Sequence, residues 1–181
     1  MNRTQRRESD LVQALLELER HVNEAGWDQP HRLFALASAQ ELHERAPGLL
    51  PPMAHPGQLV AVEQVLTNRA AGPTELLARL AWPESVVGAA LTLERIMVPT
   101  PVEQAAMDGD GDENCDSDLV AGLTKHPQRS EVRLAVAVTR DGERMCALRF
   151  RDHDSDEQVL TGADLVDSVA DALLATFDSI T

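Results

Sequence analysis

Apolar residues recur near the start of the chain with a helical rhythm that soon gives way to alternation. Leu11, Leu15, Leu18, Val22 and Ala25 share one face of a helix, with Val12 and Leu16 widening the stripe and Ser9 placed to cap its start. Gly26 falls where a left-handed residue ends such a helix, and the ending predicts Trp27 folded back on Val22. Pro30 then holds Gln29 extended, and Arg32 to Ala37 is apolar on both alternating faces, as in a strand buried from two sides. Ser38 to Glu41, "SAQE", has the spacing of a capping box for a short helix that "APG" at 46–48 stops. Gln58 to Val65 reads as a second strand, and "GPTELLARLAWP" as a helix entered at Pro73 and stopped before Pro83.

Farther along, Val86 to Val98 alternates as a third strand, then slips so that Ile96 rather than Arg95 returns inward; a bulge near Glu94 and Arg95 repairs the phase. Residues 131–151 predict a hairpin whose register is fixed by its turn. A two-residue Asp141-Gly142 turn sets Leu134 against Arg149 and leaves the apolar faces unmatched. A three-residue loop, Arg140-Asp141-Gly142 with Gly142 left-handed, pairs Thr139 with Glu143 and sets Val136 against Cys146, Leu134 against Leu148 and Val132 against Phe150. The last helix is expected from Thr161, with Asp164 in its first turn and Leu160 stapled to Leu165, burying Leu165, Val166, Val169, Leu173 and Phe177. Together these elements predict an α+β fold: a five-stranded mixed, largely antiparallel sheet with helices packed on it, closing in a β-hairpin followed by a helix.

Composition narrows the picture. With 181 residues, 43% apolar and 25% charged, one domain over residues 1–181 with a single core is expected, preceded by a disordered tail at 1–8. A formal charge of −14 argues against nucleic acid as a partner, since phosphates demand a basic face. The basic start, "MNRTQRRESD", leads into no long apolar run, so no signal peptide or membrane insertion is expected and the assignment is cytoplasmic. Two cysteines, Cys115 among acids and Cys146 in an apolar strand, form no disulfide framework and neither has the surroundings of a nucleophile.

Four places have side chains that bear chemistry. "EQAAMDGDGDENCDSD", 103–118, has seven acidic residues and imitates a calcium loop, but Glu113 stands where glycine is needed and Leu119 where a bidentate glutamate is needed; residues 103–116 are read as a flexible acidic loop. "DHDSDE", 152–157, offers His153 among carboxylates without metal-ligand spacing. In the predicted hairpin register Arg133, Arg149 and Arg151 share one sheet face, a candidate clamp for an anion or a protein partner, with Glu131, Asp152 and the acidic loop as internal neutralisers. Trp27, Asp28 and Trp82 form a candidate pocket where the first helix hands over to the sheet. No phosphate loop, HExxH, CxxC or GxSxG occurs, so no catalytic, cofactor-binding or metal-ligating residue is assigned.

"LERHVNEAGWDQPHRLFAL", "LARLAWPESVVGAALTLER", "VRLAVAVTRDGERMCALRFRDHD" and "VLTGADLV" together resemble an uncharacterised family of actinobacterial proteins with no assigned activity, over about residues 10–177. The resemblance brings no catalytic residues. It implies genes lying near ones for a PDZ-domain protein and a large membrane protein, hence envelope-related work. Two functions follow as expectations: a non-enzymatic protein-interaction or regulatory module, with homodimerisation open, or a small-molecule (anion) binding protein or hydrolase with its pocket near Trp27 and Trp82.

Overall fold

The protein is described by a computed structural model that covers residues 3–48, 57–66, 72–97 and 129–178. The acidic loop with Cys115, most of the proline-rich stretch after Pro47, and Val98 lie outside the described residues.

Helix α1 (Arg3–Asn23) is followed by β1 (Arg32–Ser38), α2 (Ala39–Arg45), β2 (Leu59–Glu63), α3 (Pro73–Leu77), β3 (Gly88–Met97), β4 (Ser130–Thr139), β5 (Arg144–Phe150), β6 (Leu160–Gly162) and α4 (Asp167–Ala175). The strands form one sheet in the order β2-β1-β3-β4-β5-β6, with every neighbouring pair antiparallel. Among the described residues the sheet therefore has six strands and is antiparallel throughout, where five strands in a mixed, largely antiparallel sheet were expected. The long spacings between the first strands left room for parallel crossovers, but α2 instead turns the chain back beside β1.

Strand alternation divides the core into two layers. On one face Leu11, Leu15, Leu18 and Val22 of α1 pack against Phe34 and Leu36 and against the alanines 90, 135, 137 and 147. These small side chains let a helix backbone lie close to the sheet. On the other face Leu33, Leu91, Leu134, Val136 and Leu148 meet Leu173 and Phe177 of α4 and Trp82, which follows α3. Each such leucine, fully buried, contributes roughly 1.5–3 kcal/mol relative to exposure. Gly88 is required by close approach: a Cβ there would lie 2.5 Å from the Val138 carbonyl oxygen.

The hairpin has the expected register throughout, Val132 to Phe150, Leu134 to Leu148 and Val136 to Cys146, and Gly142 is left-handed at φ 87°. Thr139 donates its backbone N–H to Glu143 at 2.9 Å, closing the three-residue loop. The Ser38 hydroxyl accepts from the Glu41 N–H at 3.2 Å, so the capping box stands.

Four local expectations are corrected. Helix α1 begins at Arg3, so Ser9 lies within it and backbone from Arg3 onward, expected in a tail, is helical. No bulge interrupts β3 against β4, because the strand simply runs past the packed layers and leaves Ile96 and Met97 exposed. Thr161 lies in β6 rather than opening a helix, since the outer edge of β5 needs backbone partners more than Leu160 and Leu165 need a staple. Both leucines are exposed as a result. Trp27, expected to fold back on its own helix, has partners on the sheet and beyond it in Arg133, Arg151 and Asp154, described next.

Candidate functional site

The helix end at Ala25-Gly26-Trp27-Asp28 holds two left-handed residues, Gly26 at φ 79° and Asp28 at φ 64°. Glycine adopts that conformation freely, and aspartate is among the few side chains that tolerate it. Between them the Trp27 ring is carried over the sheet, where the guanidinium carbons of Arg133 and Arg151 lie over it at 4.5 and 5.6 Å from its centroid. Its indole N–H donates to Asp154 at 2.8 Å.

Arg133 and Arg149 sit directly opposite each other in the β4–β5 register, a like-charge pair that costs stability unless each cation has its own carboxylate. Both are 1% exposed, as is Glu19, which comes from the apolar stripe of α1. Glu19 takes Arg149 through both its oxygens, at 2.6 and 2.7 Å, and Asp154 and Asp156 complete the cage at 3.0 and 2.6 Å. Hydrogen bonding to Glu19, and after it to Asp156 and Asp154, raises the Arg149 pKa against the opposing effect of burial. Arg133 donates to Glu94 at 3.0 Å, to the Asn23 side chain at 2.7 Å and to the Gly26 carbonyl, so a guanidinium satisfies the exposed end of α1. Arg151 is held by both oxygens of Asp28, at 3.0 and 2.9 Å, and by Glu131 at 2.5 Å.

The three arginines thus come together on one face, as read from the hairpin register, but each is already paired. Of the neutralisers foreseen, Glu131 takes part; Asp154 and Asp156 serve in place of Asp152, and Glu19, Glu94 and Asp28 were missed. Glu19 left a signal, a carboxylate one turn from Leu15 and from Val22 inside an apolar stripe. Six carboxylates surround three guanidiniums, so the cluster is negative and does not suit an anion. Of the four acids in the "DHDSDE" stretch, Asp154 and Asp156 are spent on Arg149 and Trp27.

Trp27 and Trp82 do not share a pocket. Trp27 lies with Arg133 on the α1 face, whereas Trp82 belongs to the core on the α4 face, where its N–H donates to Thr176 at 2.9 Å. Asp28 stays with Trp27, bound to Arg151. Trp82 does line a groove of about 570 Å³ between β1, β2, α2 and the α3 segment, which had no counterpart in the sequence reading. Cys146 is buried, and burial pushes its thiol pKa up, away from reactivity.

The sequence model of the PPA1309-like protein family matches residues 11–178. The chain belongs to that family. Comparison with curated proteins and with solved structures yields no match. In this PPA1309-like chain the matched span takes in every strand of the sheet and both helical layers, so the Trp27 cluster and the groove both fall inside it.

The cluster sets an acid limit on stability. Burial pushes the Asp154 carboxyl up, but the Trp27 N–H and Arg149 outweigh it and hold the pKa below the ordinary 3.8. A carboxyl depressed in the folded state contributes stability that is present above the unfolded value and lost as pH falls through the folded one. Asp154→Asn is therefore expected to flatten the decline of the urea midpoint below about pH 4. An unchanged acid limb in that variant would show the carboxylate to be uncoupled from folding.

Proposed function

We propose that the protein is a non-enzymatic interaction module that receives an extended segment of a protein partner along the outer edge of β2. The observation that carries this reading is the geometry of that edge. Gln64 donates its N–H to Leu33, and Gln58 accepts from Ala39, so even-numbered residues of β2 face β1 and the N–H and C=O groups of Leu59 and Ala61 point away from the sheet. Among the described residues no strand pairs with that side. Val65, just beyond the strand, is 91% exposed, an apolar contact available to an added strand. Saturation of the arginine cluster supports the same reading, because its charged groups stabilise the fold instead of facing a substrate.

Among the described residues no helix is long and apolar enough to cross a membrane, and we take the cytoplasm as the place of action. Ala61→Pro tests the proposal, since proline there removes an outward N–H and leaves the β1 ladder intact. Captures from soluble and envelope fractions of the native organism are expected to lose the partner in this variant while the urea midpoint holds. If the same proteins are captured by both forms, the edge is not the interface.

A further inference from the structure

We propose that the groove over β1 binds a monomeric medium-chain carboxylate, its alkyl chain along the sheet and its head between Arg45 and Arg79. The reading is distinguishable from strand addition at β2: the outward groups of Leu59 and Ala61 lie on the edge and not in the groove, although Val65 borders both. The groove volume, about 570 Å³, is within the ordinary range of small-molecule sites. Leu33, Ala35 and Ala37 of β1 line it, with small side chains giving depth, together with Leu42 of α2 and Leu76 and Leu80 of the α3 segment.

The floor has no hydrogen bonds to give. The β1 backbone is paired on both edges, by β2 and by β3, so an extended peptide laid in the groove would bury its own N–H and C=O groups without partners. An alkyl chain carries no such groups. Two of the polar side chains nearby are also committed: the Trp82 N–H donates to Thr176, and the Gln64 amide to the Val62 carbonyl at 2.8 Å. What the rim does offer is charge. Arg45 and Arg79 have side chains 65% and 71% exposed, each tied, among the described residues, only to the glutamate one turn earlier on its own helical segment, Glu41 at 3.1 Å and Glu75 at 2.8 Å. Exposed pairs of this kind are weak and re-form around a better placed carboxylate, which a guanidinium fork binds through two oxygens. Glu41 and Glu75 line the groove too, so the rim is neutral overall, but each guanidinium has five N–H donors and can take a second carboxylate while keeping its glutamate. A quaternary ammonium head has no donor to give those glutamates, and a neutral head gains no charge-assisted bond.

The test is calorimetric titration of the full chain with decanoate, decan-1-ol and decyltrimethylammonium, each below its micelle concentration. Saturable decanoate binding is expected, about threefold or more tighter than decanol. Arg45→Gln with Arg79→Gln, at exposed positions that leave the core alone, is expected to erase the preference for decanoate. Ala37→Phe, which fills the floor, is expected to abolish binding of every chain. Absence of saturable uptake, equal affinity for the cationic amphiphile, or a preference that survives in the double arginine variant overturns the proposal.

Discussion

Arg149→Ala is expected to cost about 3–5 kcal/mol of unfolding free energy, because it leaves Glu19 charged and unpaired inside the core. Glu19 is 1% exposed and spends both oxygens on this one guanidinium. Asp154 and Asp156, the other two partners, are more exposed and can turn to water, so they add less to the loss. The attribution is checked by a second variant, Arg149→Met with Glu19→Leu, in which apolar side chains of similar volume replace the pair. Most of the stability is expected to return, since such replacements are often neutral or stabilising. Urea unfolding of both variants measures the effect. A single-variant loss below about 1 kcal/mol would mean that Glu19 reaches solvent or a proton when its partner goes.

Trp82→Ala should be comparably damaging, at about 3–5 kcal/mol, through the cavity it leaves. The ring is buried, stacks on Phe177 with centroids 6.1 Å apart, and donates its N–H to the Thr176 hydroxyl, which in turn donates to the Leu173 carbonyl at 2.6 Å. Arg140, in the hairpin loop, binds the backbone carbonyls of Trp82, Pro83 and Val86 and lies over the Phe177 ring, so the loop, α4 and the segment after α3 meet at this residue. Trp82→Phe keeps most of the ring and removes the N–H; a loss nearer 1 kcal/mol is expected. Thermal or urea midpoints separate the two contributions, and equal losses for alanine and phenylalanine would show that the hydrogen bond, not the packing, holds the corner.

The two tryptophans illustrate where reading a chain by pattern stops. Each was legible as a residue at a turn, and the turns are present: Gly26 is left-handed, and Pro73 opens α3. Joining them into one pocket required knowing which face of the sheet each segment crosses. Trp27 rises over the face that carries Arg133, and Trp82 packs under the face that carries Leu134. Adjacent positions on β4 are enough to put them on opposite sides. The arginine face shows the same boundary. Its three members were found by counting along a hairpin, but the partner that matters most to Arg149 lies 130 positions away in a helix.

What the chain's one-dimensional pattern determined is what depends on near neighbours: the α1 stripe, the Ser38 cap, and the β4–β5 register with its left-handed Gly142, because turn chemistry and the two-residue period of a strand leave one solution that keeps apolar faces together. Only the tertiary structure decided the antiparallel course of the first three strands, the added strand β6 and the charge pairing of Glu19 and Glu94. Those outcomes rest on backbone groups and buried charges finding partners across the fold, and such partners must exist but are not specified by any local spacing.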